Sequence, residues 1–254
     1  MTAILLPQLL VDRDDQPPPP RDVMKRGGEF FRFRDSTFII SRKWVHELCD
    51  KIIKEKLRIR WTVNARVDLV DYELFRHMKK AGLVAVYFGV ESGSQKILDF
   101  YGKGTTLKQV EDAFDICKRL NIKTGAYFML GALPETIEDM EATYQFAKKI
   151  NATNSVVFIF MPLPGSELYD YYIKQGYKFD HSKIRSDKAA FSSAGLTVEE
   201  LESMRSKWWD DLNRVDEKPS LISRGINAAR DIRSLHDVKR LGKKAARLLF
   251  APKN

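Results

Sequence analysis

Cysteine is nearly missing from this sequence: 254 residues contain two, Cys49 and Cys117. A disulfide framework is therefore not expected, and a reducing cytoplasm is the expected setting. Each cysteine sits in an apolar stripe at helical spacing. Cys49 follows Val45 and Leu48 and precedes Ile52; Cys117 follows Val110, Ala113 and Phe114. Both read as small buried hydrophobes rather than as metal ligands. Long apolar runs are missing too. None nears the roughly 20 residues that a membrane-spanning helix needs. The apolar start, Met1–Leu10, lacks the basic stretch that opens a secretory leader. No short solenoid repeat recurs. No basic surface interleaved with aromatics is visible, so nucleic acid is not an expected partner.

Charge of one sign is in modest excess: 43 Lys and Arg against 34 Asp and Glu give +9. A basic balance permits an anionic ligand, an acidic membrane or nucleic acid without choosing among them. Much of the excess lies in Arg224–Lys253, which makes it a property of the tail. There Lys239, Arg240, Lys243, Lys244 and Arg247 interleave with Leu241, Ala245, Leu248, Leu249 and Phe250. That is an amphipathic basic pattern, suited to an acidic membrane surface or to a helix packed on the body with a solvated basic face.

What is present is a recurring unit. Five apolar runs, Phe30–Phe33, Ile59–Val63, Val84–Gly89, Thr124–Leu130 and Ser155–Phe160, each stop at a polar or glycine-bearing turn. Each is followed by a helical segment. Parallel strands covered by crossover helices read this way. Ser41, Asp71, Thr136 and Ser166 are expected helix caps, and Thr106 with Gln109 and Thr197 with Glu200 are capping boxes. The predicted architecture is α/β, with about five parallel strands in a partial barrel or an open sheet. Residues 1–28, with Pro17–Pro20, read as a proline-rich arm or linker. Residues 29–176 form the strand–helix body. Residues 177–254 are a helical extension whose last helix covers Ser234–Phe250.

In such folds ligands bind where strands hand over to helices. The turn after Val84–Gly89 carries Glu91 and Ser92; a carboxylate there accepts hydrogen bonds from ribose hydroxyls, or both residues cap the next short helix. Arg66 and Lys103 lie near strand ends and suit a carboxylate or phosphate, or are solvated surface cations. Gly131 lets backbone approach a ligand. The Pro162–Gly165 turn, with Pro164, fixes a rigid loop whose backbone suits a planar base. Asp35 follows the first strand and is an acid at a ligand rim or a turn cap.

Taken in order, six segments resemble the radical S-adenosylmethionine (SAM) superfamily. They are Phe33–Phe38, Trp61 with Asn64–Asp68, Phe88–Ser94, Lys103–Thr106, Phe128–Thr136 and Pro162–Ser166. The likeness is to the branch often joined to an N-terminal cobalamin-binding domain. It implies a partial (β/α) barrel, SAM bound at its rim, and a 4Fe-4S cluster held by a CxxxCxxC loop after the first strand. It also implies reductive cleavage of SAM to a 5′-deoxyadenosyl radical, or cobalamin-dependent methyl transfer. Carried over by position, Glu91 faces the ribose and Lys103 the methionine carboxylate. Asp35 lies near the methionine amine. Gly131 and the Pro164 loop flank the adenine, and Arg66 matches the turn after the family's third strand, with no contact assigned to it. The sequence departs from the family in one respect: it contains no CxxxCxxC. The expectation is a piece of a radical enzyme, inactive alone, that acts on a small-molecule substrate. The alternatives are a SAM- or nucleoside-binding pseudo-enzyme and a basic docking protein.

Overall fold

The structure is a computed structural model that describes residues 30–179 and 188–213. The proline-rich arm and the basic tail helix expected above lie outside these residues. Five strands form one sheet in sequential order: β1 (Phe30–Arg32), β2 (Arg60–Ala65), β3 (Leu83–Glu91), β4 (Lys123–Leu130) and β5 (Asn154–Ile159). Every neighbouring pair is parallel. Between them run α1 (Arg42–Lys54), α2 (Tyr72–Lys80), α3 (Gln95–Phe100), α4 (Leu107–Arg119) and α5 (Ile137–Ile150). After β5 come α6 (Glu167–Lys174) and α7 (Val198–Leu212). The result is an α/β half-barrel.

Local chemistry sets the helix boundaries. Ser41, Asp71 and Ser166 each accept from a backbone N–H of the first turn of α1, α2 and α6. Thr106 with Gln109, Thr136 with Asp139 and Thr197 with Glu200 close reciprocal capping boxes on α4, α5 and α7. Each such cap is worth about 1 kcal/mol. At the far end of α2, Gly82 takes φ +105°, and a Cβ there would meet the Ile59 carbonyl oxygen at 2.1 Å.

The helices cover one face of the sheet. Val86, Phe88 and Val90 of β3 and Ala126 and Phe128 of β4 are buried with Leu74, Phe75, Met78, Val110, Phe114 and both cysteines. Burial pushes each thiol up to about 12. The residues between them in β3 and β4, among them Tyr87, Gly89, Tyr127 and Met129, lie on the opposite face and are only half-buried. The covered outer face holds the core, and the concave inner face is left accessible among the described residues.

The two sheet edges differ. α7 covers β5: the Arg205 guanidinium donates to the Val157 carbonyl at 2.9 Å, and Asn213 both accepts from Ser155 N–H and donates to its carbonyl. Helix α7 therefore packs into the body and protects an edge that would otherwise present free backbone groups. Ser193, just before it, donates to the Ala132 carbonyl at 2.9 Å. β1 pairs with β2 alone. Among the described residues no helix is long and apolar enough to cross a membrane.

Candidate functional site

Parallel pairing brings the carboxyl ends of all five strands to one rim. Three of the expected site residues are joined there. Glu91 ends β3 and is buried; Lys103, in the α3–α4 loop, sets its ammonium nitrogen 2.6 Å from Glu91 Oε1. The Arg66 guanidinium, just past β2, donates to the Lys103 carbonyl oxygen at 3.0 Å. It also grips both Asp68 carboxylate oxygens at 3.0 Å. Arg66 is thus a strut that fixes the Lys103 loop through its Nε and Nη2 donors. Asp35 belongs to the same neighbourhood through its main chain, whose carbonyl accepts from Asn64 Nδ2 at 3.1 Å. Its side chain is exposed.

Glu91 adopts φ +69°. A bulky non-glycine residue in that region is strained by about 1–3 kcal/mol, and such strain collects where function demands it. The cause is visible in the chain. The β3–β4 register slips between Gly89 and Glu91, so that Phe128 pairs with Glu91 directly. Ser92 and Gly93 then anchor the following turn: the Ser92 hydroxyl and the Gly93 N–H both reach Thr143 Oγ1 of α5, at 2.9 Å each. A Cβ on Gly93 would lie 2.7 Å from the Ala142 carbonyl oxygen. The turn is pressed flat on α5, and Glu91 is rolled inward above Gly89. The Ser92 hydroxyl is committed to this anchor. Ser94 and Lys96 extend it to Asp139 at the start of α5. Burial opposes ionisation of Asp139, yet hydrogen bonds from Lys96, Ser94 and Thr136 hold its carboxyl down to about 2.

The next rim turn is built around Glu135. Gly131, at φ +91°, and Ala132 both donate backbone N–H groups to Glu135 Oε2, at 2.6 and 3.2 Å. Glu135 is 2% exposed, and burial raises its carboxyl to about 7 against the pull of those two donors. Its other oxygen has no hydrogen-bond partner, and neither has the buried Tyr101 hydroxyl. Burial raises Tyr101 far above the ordinary phenol range, and the charges of Glu135 and Glu91 add to that. Tyr101 therefore sits within electrostatic reach of both rim carboxylates. Leu133 N–H donates to the Tyr172 hydroxyl at 2.6 Å, which fixes the loop from the α6 side. Pro164 is exposed in the loop after β5, while Pro162 is buried.

The rim thus gathers Arg66, Glu91 and Lys103 into one network, with Gly131 on the adjacent strand end. Asp35 and Pro164 stand at the ends of β1 and β5, with no side-chain bond to that network. Glu135, Tyr101 and Tyr172 belong to the site although their residue types in the sequence did not single them out. The signal for Glu135 was its place four residues after Gly131, within reach of the turn's free N–H groups. No group of three or more metal-ligating side chains occurs among the described residues.

Residues 27–147 match the radical SAM superfamily. That segment is a radical SAM domain. An uncharacterised methyltransferase of Pyrococcus horikoshii is 38% identical over 141 residues, which are 56% of this chain and 31% of that protein. The anaerobic magnesium-protoporphyrin IX monomethyl ester cyclase of Cereibacter sphaeroides is 32% identical over 183 residues, 70% of this chain and 30% of the cyclase. The chain thus spans about a third of the length of these relatives. Among solved structures, the radical SAM methyltransferase TsrM of Kitasatospora setae superposes with a TM-score of 0.57 at 18% identity. The match covers 68% of this chain and 35% of TsrM. At that identity the likeness is one of fold.

Proposed function

We propose that the carboxyl rim of this half-barrel holds SAM, and that the chain is the SAM-holding part of a radical SAM enzyme of the methyltransferase or cyclase kind. One observation carries the reading: a buried glutamate at the end of β3, held at φ +69° and neutralised by Lys103. An acid is paired with a lysine and turned inward at a cost in backbone strain, which suits a hydroxyl-bearing ligand better than it suits packing.

The residues present fit SAM. Glu91 would accept from the ribose hydroxyls while Lys103 pairs with it and offers its remaining donors to the methionine carboxylate. The exposed Asp35 carboxylate would take the methionine amine. Gly131 and the Pro164 loop would face the adenine with backbone. Arg66 positions Lys103. Bound SAM supplies a sulfonium, the source of either a methyl group or a 5′-deoxyadenosyl radical.

The residues present do not fit a 4Fe-4S cluster. Three thiolates are needed. The sequence has two cysteines, both buried among apolar side chains on α1 and α4 with their thiols held protonated. We infer that the cluster ligands come from outside this sequence, that the 254-residue chain alone makes no radical, and that any cobalamin would be held by a separate domain.

Calorimetry with SAM tests the rim. Binding to the 254-residue chain is expected to be weak but measurable. Glu91→Gln should weaken it at least tenfold, since a hydrogen bond to a charged group is worth roughly 1.5–3 kcal/mol. No heat above buffer, or unchanged binding by Glu91→Gln, would refute the reading. Anaerobic iron–sulfide reconstitution should leave no broad visible absorbance; a well-formed cluster spectrum would overturn the inference about the thiolates.

A further inference from the structure

The concave face below the rim carries one stripe that the SAM site does not use. The Arg32 guanidinium lies over the Tyr87 ring, 5.3 Å from its centroid. The Tyr87 and Tyr127 rings follow at 5.9 Å and 19°, and Tyr127 and Phe158 at 5.8 Å and 34°. Arg32 Nη2 also reaches the Tyr127 hydroxyl at 3.5 Å. The stripe crosses β1, β3, β4 and β5, and its three rings are half-buried. Register places it just under the rim, with Tyr127 level with Gly89, over which Glu91 and Lys103 meet.

Two features separate this stripe from ordinary barrel filling. The first is Gly125, inside β4, where glycine weakens a strand. A Cβ there would lie 2.1 Å from Tyr87 Cδ1. The glycine lets the Tyr87 ring lie flat on the backbone, giving a smooth wall where a side chain would project. The second is charge. Arg32 makes no ion pair with any described carboxylate, and Arg34 adds a second positive charge near the Tyr127 hydroxyl. A lumen meant only to be packed would not place an arginine at the end of an aromatic row.

We propose that this face is a substrate platform for a flat, conjugated small molecule that carries an anionic group. Tyr87, Tyr127 and Phe158 form its apolar wall, and Arg32 is the partner of its carboxylate or phosphate. The proposal rests on reading the rim above as the cofactor site, because that places the reacting end of the ligand under the sulfonium. Stacking supplies affinity without choosing among flat ligands. The guanidinium supplies a fork that matches either oxyanion and selects against neutral analogues.

Saturation-transfer NMR on the 254-residue chain tests it with three probes: 2-naphthoate, 2-naphthyl phosphate and 2-naphthalenemethanol. The two anions should compete for one site and bind at least tenfold more tightly than the alcohol. The tighter of the two identifies the anionic group. Arg32→Gln, at an exposed position that the fold tolerates, should bring both anions down to the affinity of the alcohol and leave the alcohol unchanged. Gly125→Ala should weaken all three by displacing Tyr87. SAM titrations on the same samples separate the two readings: Glu91→Gln should lose SAM and keep naphthoate, and Arg32→Gln the reverse. Equal binding of alcohol and anions by the wild type, or anion binding unaltered by Arg32→Gln, overturns the proposal whatever the SAM result.

Discussion

Lys103 Nζ and Glu91 Oε1 meet at 2.6 Å directly above Gly89. A Cβ on that glycine would lie 2.3 Å from the carboxylate oxygen and 2.8 Å from the ammonium. The pair and the glycine are thus one device, in which an empty side-chain position in β3 admits two charges. Gly89→Ala should displace the pair and weaken SAM binding at least tenfold by calorimetry. The atoms in the way are the far ends of two flexible side chains, so the stability cost in denaturant should stay near 1 kcal/mol.

Gly93→Ala makes the opposite case. Its added methyl would press on the Ala142 carbonyl and the Thr143 Cα of α5, which are backbone atoms and yield poorly. Overpacking of this kind costs typically 1–3 kcal/mol, and urea unfolding should place Gly93→Ala at the upper end. Comparing the two alanine variants by denaturant midpoint and by SAM affinity separates the glycine that serves the site from the glycine that serves the fold.

Glu135 should leave a mark on pH dependence. Its folded carboxyl titrates at about 7 against an ordinary 4.5, with burial as the cause. Between those values the folded state holds the proton that the unfolded state has released. The contribution is therefore complete below about pH 4.5 and lost as pH rises through 7, for a total of about 3 kcal/mol. Glu135→Gln keeps an acceptor for Gly131 and Ala132 N–H and cannot ionise. It should flatten the fall in stability between pH 4.5 and 7 relative to wild type. Asp139 titrates from 3.8 down to about 2 in the folded chain. Its contribution is present above 3.8 and lost as pH falls through 2, so it does not blur the comparison. An identical slope for the two proteins would contradict the burial of Glu135.

The backbone plan was legible where residue types speak locally. Thr106 with Gln109, and Thr197 with Glu200, announce capping boxes, and the helices start one residue later. The partial barrel was expected and is present, but which face of its strands is covered was not legible, because Val84–Gly89 and Thr124–Leu130 are almost uniformly apolar. A continuous apolar run does not tell a covered face from an accessible one. For the same reason nothing in the sequence marks Tyr87, Tyr127 and Phe158 as lying on the accessible face. Arg66 shows a different blind spot: a cation at a strand end looks available, and only the fold shows its Nε and Nη2 bonded to Asp68 and the Lys103 carbonyl. Glu135 looks like a surface acid in a proline turn until two backbone donors and the packing above it are seen together.

The Glu91–Lys103 pair also yields a stability argument that a ligand assay cannot imitate. Both side chains are nearly buried, at 10% and 19% exposure. Removing one partner strands the other charge, so Lys103→Met should cost as much as about 3 kcal/mol. Removing both should cost far less, because a buried ion pair gains little over apolar contacts once desolvation is counted. The double variant Glu91→Gly, Lys103→Met goes further: glycine accepts φ +69° without strain. It should be at least as stable as wild type in urea while showing no SAM binding. That outcome would mark the strained glutamate as kept for the ligand. A double variant destabilised as much as the sum of the two single changes would instead assign the pair to holding the rim together.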